Sequence, residues 1–268
     1  MLAPRGAVRP LQPAVIALGT AGISVGGAAA LGLVAAPVAT AMSGAALLGV
    51  MGAVALASSR PDLGWFGEAL CRARHPGRLA LTIDDGPDPV STSPILQALA
   101  AANARATFFL LLDRAQRHPE LVQAIVAGGH EVALHGPAHD ARFTILPPSK
   151  GAQQLRAAAD ALSALAGGPV RWFRPPFGAV SPRVYAAAQA AGLPIAWCSV
   201  RTGDGGFARP SAILQRCKNA VGTDIVLMHD GAGHARTLLP EILADWDARG
   251  IAVTTLSAAM RSPDEPRS

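Results

Sequence analysis

Short apolar runs alternate with longer segments of helical periodicity from Leu79 onward, and this alternation constrains the fold more than any other feature of the sequence. Seven runs have the length of buried strands. They are Leu79–Ile83, Ala106–Leu112, His130–His135, Val170–Arg174, Ile195–Val200, Asp224–His229 and Ile251–Leu256. Because strands that alternate with helices form parallel sheets or barrels, we expect an α/β fold with about seven strands.

The segments between these runs carry the end signals of helices. Several have proline in the first turn and glycine after the last residue, as at Gly128 and Gly192. The predicted helices are Pro94–Ala102, Pro119–Ala127, Lys150–Leu165, Pro182–Ala191, Pro210–Ala220 and Leu238–Arg249. We expect one domain at residues 78–260, a linker at 61–77 before it, and a disordered polar tail at 261–268.

The first 60 residues differ from the rest because no charged residue lies between Arg9 and Arg60. If helical, the apolar stretch Ala14–Ala57 would be about 66 Å long, whereas the apolar core of a bilayer is about 30 Å thick. Pro37 favours a break near the middle of that stretch. We therefore predict that residues 1–60 form a transmembrane helical hairpin. Its two helices are Ala14–Ala36 and Val38–Ala57.

A cleaved signal peptide is the alternative interpretation of this segment. Ala55-Leu56-Ala57 resembles a cleavage site, but the apolar run exceeds the about 7–15 residues of a signal peptide. Arginines flank both ends of the predicted hairpin and none lies in its loop, so the positive-inside rule favours a domain on the cytoplasmic face. If only one helix spans the membrane, the domain lies outside instead.

The formal charge of +5 and the sequence pI of about 9.8 raise the question of an anionic partner. The arginines are scattered and are not interleaved with aromatic residues, so no nucleic-acid partner is expected. Anionic lipid headgroups explain the charge equally well. Cys71, Cys198 and Cys217 form neither a disulfide framework nor a CxxC metal pair, and we interpret them as small apolar residues.

Polar residues stand at or just after the carboxyl ends of five predicted strands, where a barrel of this class carries its reactive groups. They are Asp84, Asp85, His135, Arg174, Asp204 and His229. Adjacent carboxylates repel each other unless a cation or a donor compensates. His135 and His139 are spaced four residues apart, and two histidines with one carboxylate are a usual ligand set for catalytic zinc. A solvated Asp-Gly turn and two surface histidines are the alternatives.

Two further motifs carry candidate functional side chains. Arg174 lies in RPPFG, where two prolines stiffen the loop and favour holding the guanidinium against a carboxylate. His229 ends the apolar run IVLMH, so it is either a core histidine with satisfied hydrogen bonds or a general acid.

The motifs LTIDDGPDP, HGPAH, RPPFG and IVLMHDG follow one another in the order typical of polysaccharide deacetylases, and the chain resembles that family. These are the carbohydrate esterases with the nodulation-deacetylase homology domain. The resemblance covers about residues 78–256 and implies a distorted (β/α) barrel. It also implies a hydrolase that removes N-acetyl or other N-acyl groups from the amino sugars of a glycan or a lipid-linked saccharide. With the hairpin, this implies the inner membrane of a bacterium, and no protein partner is expected.

The resemblance implies a catalytic base and a metal site. By this resemblance, Asp84 is the general base and Arg174 orients it. The metal ligands are Asp85, His135 and His139. We expect zinc at this site, with cobalt, nickel and manganese as alternatives.

The resemblance also implies an acid and an oxyanion site. His229 is the general acid, Asp204 pairs with it, and the backbone at Pro176 and Phe177 holds the oxyanion. Removal of O-acetyl groups needs the same machinery and stays open as an alternative. A catalytically inactive, membrane-tethered glycan-binding module is the alternative from another class of protein.

Three positions depart from the family pattern. Arg201 stands at the first acidic position of the fourth motif, and Gly205 stands at its aromatic position. Gly136 follows the first metal histidine where the family has serine or threonine.

Overall fold

A computed structural model describes residues 36–60, 63–206, 208–231 and 233–261 of the chain. Helix α1, Ala36–Ser59, covers the second helix of the predicted hairpin. The structure does not describe residues 1–35, which include nearly all of the predicted first helix. It also does not describe residues 262–268, which belong to the predicted tail. No helix in the described part of the chain is both long and apolar enough to cross a membrane. The transmembrane hairpin stays a prediction.

The chain after α1 alternates strands and helices, as predicted. The strands are β1 Arg78–Asp84, β2 Thr107–Leu111, β3 Glu131–Gly136, β4 Val200–Arg201, β5 Ile225–His229 and β6 Ala252–Thr254. The helices are α2 Thr92–Ala101, α3 Leu112–Arg117, α4 Pro119–Ala127, α5 Pro148–Ala166, α6 Pro182–Ala191, α7 Pro210–Lys218, α8 Ala235–Ala248 and α9 Leu256–Met260. Short 3-10 helices lie at Ala141–Ile145 and Pro176–Gly178.

The named strands pair in parallel in the order β3-β2-β1-β5-β4, and β6 pairs with the first half of β1. Single parallel bridges from Leu134 to Phe173 and from Phe173 to Ile195 continue the pairing beyond β3. Five residues after Ile195, Val200 in β4 pairs with Val226 in β5. The pairing therefore runs from β5 through β1, β2 and β3 to Phe173, then to the segment that starts at Ile195, and back to β5 through β4. The predicted parallel α/β arrangement is confirmed, and its strands form a distorted ring.

Two of the seven predicted strands are much shorter than expected, which corrects the predicted count. Val170–Arg174 contributes only the bridges at Phe173, and Ile195–Val200 contributes isolated bridges and the start of β4. Pro169, Pro175 and Pro194 flank these runs. Proline has no N–H to donate, so it ends the hydrogen-bond ladder.

The segment before β1 packs against the ring. Leu70 forms a parallel bridge with Ala196, and Arg72 pairs with Asp224 at 2.7 Å. Phe66 is 5% exposed. Residues predicted as a linker therefore contribute contacts to the fold, while the predicted domain limits stay a prediction.

The two faces of β1 enter two different apolar clusters because successive side chains alternate across a strand. Leu79, Leu81 and Ile83 pack with the surrounding helices. Ala80 packs with Phe109 inside the ring. The named strands contribute two small side chains, Ala80 and Ala133, and three larger ones, Phe109, Ile225 and Leu227, to the inner cluster.

His130, just before β3, is a buried histidine on the helical side of the ring. Its Nδ1 accepts a hydrogen bond from the Ala106 N–H at 3.2 Å. Burial and the neighbouring Arg105 lower the pKa of His130 to about 4. The folded protein therefore holds this imidazole neutral at pH values where an unfolded chain would protonate it.

Acidification should destabilise the protein through His130. An unfolded histidine has a pKa of about 6.5, so the unfolded state binds more protons below that pH, and stability is lost as the pH falls. Between pH 7.5 and pH 5 we expect the free energy of unfolding to fall by about 2 kcal/mol through this group. Denaturant titrations at both pH values measure this loss. His130→Asn is the control, because its amide oxygen accepts without titrating. Equal losses in both proteins would contradict the prediction.

Candidate active site

The polar residues predicted at the strand ends lie together at the carboxyl end of the ring. Asp84 ends β1, and its register partner on the neighbouring strand β5 is His229. Asp85 follows Asp84 in a left-handed backbone conformation, with φ of +71°. His135 lies near the end of β3 and Arg174 follows the bridge residue Phe173. The structure therefore brings these predicted residues together at one end of the ring.

Asp84 and Arg174 form a buried ion pair, with Arg174 Nη1 2.7 Å from Asp84 Oδ1. The two residues are 2% and 1% exposed. The same Nη1 donates to Thr82 Oγ1 at 2.8 Å, and the guanidinium also donates to the carbonyls of Ala196 and Trp197. An arginine held by four acceptors has little freedom to turn. Asp84 is therefore fixed in one orientation.

Asp85, His135 and His139 place one ligand atom each within 4.8 Å of one another. His135 Nε2 lies 3.2 Å from Asp85 Oδ1, and His139 Nε2 lies 3.6 Å from the same oxygen. These are the three metal ligands that the resemblance implies, and they include the two histidines spaced four residues apart. Its two imidazoles and one carboxylate are the donor set that divalent zinc prefers.

Two further observations fit a cation at this cluster. Asp85 Oδ1 and His135 Nδ1 are buried, and neither has a hydrogen-bond partner in the described part of the chain. Buried polar atoms are rarely left without a partner, so a bound cation would explain an orphaned carboxylate oxygen here. Burial lowers the pKa of His139, which favours the neutral imidazole that a metal requires.

The charge of Asp85 also suits a metal ligand. Burial opposes its ionisation, but His135, His229 and His139 outweigh burial and hold the pKa of Asp85 below its ordinary value. The carboxylate is therefore ionised at neutral pH. Arg114 Nη1 donates to the Asp85 carbonyl at 2.9 Å and so supports the left-handed turn.

His229 and Asp204 form the second polar pair of the site. Asp204 Oδ1 lies 2.8 Å from His229 Nδ1, and Asp204 Oδ2 accepts from the His229 backbone N–H at 2.8 Å. Thr202 Oγ1 lies 2.7 Å from both Asp204 Oδ1 and the Leu227 carbonyl oxygen. Burial alone would lower the pKa of His229, but Asp204, Asp84 and Asp85 raise it. The imidazolium form is therefore favoured, as a general acid requires.

The Pro176–Gly178 turn lies beside the metal-ligand cluster. The Phe177 ring packs edge-on against the His139 ring, with the centroids 4.1 Å apart. Phe177 has a positive φ of 59° and its side chain is largely exposed. The position agrees with the predicted oxyanion turn, whose backbone role stays a prediction.

Sequence reasoning missed the residues that hold the catalytic groups in place. Thr82 lies two residues before Asp84 on the same face of β1, and Thr202 lies two residues before Asp204. The alternation of side chains along an extended chain is a signal that would have found both. Arg114 lies in α3, far from every motif, and nothing in the sequence links it to Asp85.

The departures from the family pattern have visible structural consequences. A Cβ built at Gly205 would lie 2.8 Å from Cγ of His229, so the imidazole occupies the space of a side chain at that position. Gly136 has a φ of +133°, which a serine or threonine would rarely adopt. The exposed Arg201 guanidinium lies 5.6 Å from the centroid of the Trp197 ring.

Comparison with known proteins shows which family the chain resembles. A family model described as polysaccharide deacetylase matches residues 72–196. The chain is 32% identical over 197 residues to a peptidoglycan-N-acetylglucosamine deacetylase of Bacillus cereus, an alignment covering 68% of this chain and 88% of that protein. It is 35% identical over 171 residues to a chitooligosaccharide deacetylase of Sinorhizobium fredii, covering 63% of this chain and 76% of that protein.

A solved structure shows the same fold. A family 4 carbohydrate esterase from Streptomyces lividans in complex with acetate has a TM-score of 0.62 and 29% identity, covering 66% of this chain and 91% of that one. The predicted resemblance is therefore confirmed over most of the length of a curated relative. This chain belongs to the polysaccharide deacetylase family.

Proposed function

We propose that this protein is a metal-dependent hydrolase that removes N-acetyl groups from the amino sugars of a glycan or a lipid-linked saccharide. The observation that carries the proposal is that three sets of polar side chains lie close together at the carboxyl end of the ring. Asp84, paired with Arg174, ends β1, which lies in the sheet order between β3 with His135 and β5 with His229. A candidate base, metal ligands and a candidate acid are thereby combined in one site.

The metal has a limited and specific part in this proposal. Asp85, His135 and His139 would hold it, and its charge would polarise the acyl carbonyl and acidify a nearby water molecule. The ligand set favours zinc, with cobalt, nickel or manganese as alternatives. The reaction further requires a group that takes a proton and a group that donates one, and both are present in the chain.

Asp84 and His229 are proposed to move these protons. Asp84 takes a proton from the attacking water while Arg174 keeps the carboxylate directed into the site. Its Oδ2 lies on the metal-ligand side, 3.8 Å from His135 Nδ1. His229 holds its proton with the help of Asp204 and donates it to the departing sugar amine. The backbone at Pro176 and Phe177 is proposed to stabilise the oxyanion.

The proposed substrate class follows from the named relatives. One is named for peptidoglycan N-acetylglucosamine and the other for chitooligosaccharides. Both names describe N-acetylated amino sugars, and we extend that class to this chain. A membrane location is proposed from the uncharged segment between Arg9 and Arg60 alone, and fractionation of cells expressing the full chain tests it.

A deacetylation screen with metal add-back tests the proposed function. Metal-depleted protein is assayed on chitin oligomers, peptidoglycan fragments and lipid-linked amino sugars, with and without each of the four metals. We expect acetate release and one free amine per acetate only when metal is present. Turnover of O-acetylated sugars alone would show an esterase. Protein that binds no metal and turns over no substrate would match the inactive glycan-binding module.

The Asp204→Asn variant should shift the pH dependence of the reaction. Burial lowers the pKa of His229, and its net rise depends on the carboxylates around it, of which Asp204 is in direct contact. Without that charge, His229 should lose its proton at a lower pH, and the basic limb of the kcat/KM profile should move down by about one unit or more. Rate measurements across pH test this. Asp247→Asn, an exposed residue of α8, is the control, and an unmoved limb in Asp204→Asn would exclude His229 as the acid.

A further inference from the structure

Asp230 is a buried carboxyl group that the proposed mechanism does not use. It follows His229 directly and is 2% exposed. Its backbone N–H donates to the Asp84 carbonyl at 2.8 Å, and its side chain lies against the start of α2. There Thr92 Oγ1 donates to Asp230 Oδ2 at 2.5 Å, and Ser91 Oγ contacts Oδ1. Asp230 therefore joins the loop after β1 to the loop after β5.

A second carboxylate, Asp88, shares the same two hydroxyl groups. Its Oδ1 accepts from the backbone N–H groups of Val90 and Ser91 at 2.9 and 3.0 Å and lies 2.9 Å from Ser91 Oγ. The Asp88 N–H donates to Thr92 Oγ1 at 2.8 Å. The Gly231 N–H donates to Ser91 Oγ at 2.7 Å.

The hydrogens in this cluster are too few for two ionised carboxylates. Each hydroxyl group carries one hydrogen. The hydroxyl of Thr92 uses its hydrogen on Asp230, while that of Ser91 has one hydrogen for two carboxylate oxygens, one on Asp88 and one on Asp230. Both contacts of Ser91 are hydrogen bonds only if one of the two carboxyl groups is protonated.

The surroundings decide which carboxyl carries the proton. Burial opposes ionisation of Asp88, but donors from Val90 and Ser91 outweigh it and lower the pKa of Asp88. Burial raises the pKa of Asp230, and so does the charge of Asp88, although Ser91, Thr92 and Gly231 donate to it. Asp88 therefore suits the ionised partner and Asp230 the neutral one.

We propose that Asp230 is a positioning residue that acts as a protonated carboxyl, donating from Oδ1 to Ser91 Oγ and accepting from Thr92 at Oδ2. We call this set of contacts the latch; it fixes the segment between β1 and α2, which begins with Asp85, against the residue that directly follows His229. In this arrangement the Ser91 hydroxyl donates to Asp88, and the Gly231 N–H is shared between Ser91 Oγ and Asp230 Oδ1. The expected effect on catalysis rests on the proposed function. The protonation of Asp230 rests only on the geometry of the cluster.

Two neighbours support a neutral latch. A Cβ built at Gly86 would lie 2.8 Å from Asp230 Oδ2, so the backbone just after Asp85 lies directly against this carboxyl. A Cβ built at Gly231 would lie 3.6 Å from both Arg114 Nη1 and Asp88 Oδ2. The positive charge of Arg114 therefore lies near the Asp88 carboxylate. Among the described residues, Asp88 acts on Asp230 by its charge, and Arg114 acts on Asp88. A neutral Asp230 adds no further negative charge beside His229.

Asp230→Asn and Asp230→Ala test the proposal together. The asparagine amide donates to Ser91 and its carbonyl accepts from Thr92, so this variant should keep kcat, KM and the pH profile close to those of the wild type. Alanine removes both bonds and should lower kcat about tenfold or more with little change in KM, because small displacements of catalytic groups are costly. Rescue by asparagine distinguishes a neutral donor from a required carboxylate.

Infrared spectroscopy at neutral pH provides a readout that does not depend on activity. The wild type should show a protonated-carboxyl band that is lost in Asp230→Asn and kept in Asp247→Asn, the exposed control on α8. Absence of this band from the wild type, or its survival in Asp230→Asn, would overturn the proposal. If no variant and no wild-type protein turns over substrate while the band behaves as expected, the proposed function fails and the latch stands.

Discussion

Replacing Asp84 with asparagine should abolish measurable deacetylation while leaving the metal site intact. Asparagine has nearly the same shape, and its amide oxygen still accepts from Arg174 Nη1. It cannot take a proton from water, and loss of a positioned general base typically costs about 10²–10⁴ in rate. The metal ligands are Asp85 and the two histidines, so metal content should stay unchanged.

The design separates a lost base from a damaged fold. Metal content, denaturant unfolding and acetate release are measured on the same preparation of Asp84→Asn. Asp247→Asn on α8 is the matched control, because it makes the same chemical change at an exposed position away from the ring. Undiminished turnover in Asp84→Asn would refute the assignment of the base. Loss of metal together with turnover would instead assign Asp84 to the metal site.

The strand ends explain why so much of the site was predictable from sequence. Parallel strands bring their carboxyl ends to one edge, so Asp84, His135 and His229 had to lie together once their runs were read as strands. The spacing of His135 and His139 then indicated the metal cluster. What the alternation could not supply was the order of strands around the ring, which depends on contacts distant in sequence.

Helix ends were predictable where the chain carries local signals. Helix α6 begins and ends as predicted, because the Ser181 hydroxyl caps Val184, Pro182 occupies the first turn and Gly192 adopts the left-handed conformation. Helix α3 was missed, since it follows β2 without a capping side chain. Its Arg114 therefore stayed unlinked to the site. Local signals mark the ends of elements but not the contacts that elements make.

The contacts of Asp230 with Ser91 and Thr92 illustrate a second limit on what the sequence can predict. Asp88 and Asp230 stand in motifs that were identified, but the sequence gives no reason to expect that they share one serine. Burial decides such cases, because a carboxyl group out of water must either find donors or keep its proton. Burial is a property of the folded ring and is not encoded in any short pattern.

Arg174→Met should strongly destabilise the folded protein. Methionine retains much of the apolar stem that packs over Phe109, where the guanidinium carbon lies 4.1 Å from the ring centroid. It removes every donor to Asp84, Thr82 and the two carbonyls. Removing one partner of a buried ion pair leaves an uncompensated charge and costs about 3–5 kcal/mol. Denaturant unfolding should show a loss of that size, and turnover should fall with it.

A double-mutant cycle with Asp84→Asn identifies the source of this loss. If the uncompensated Asp84 charge dominates, Arg174→Met should cost much less in the Asp84→Asn background, because no carboxylate is left buried. Turnover should stay absent in the double variant. Arg174→Lys keeps the charge but loses the planar fork that reaches four acceptors, so it should lie between the wild type and Arg174→Met in stability. Equal costs of Arg174→Met in both backgrounds would mean that the arginine stabilises the ring mainly through Thr82 and the two backbone carbonyls, and that Asp84 is oriented by something else.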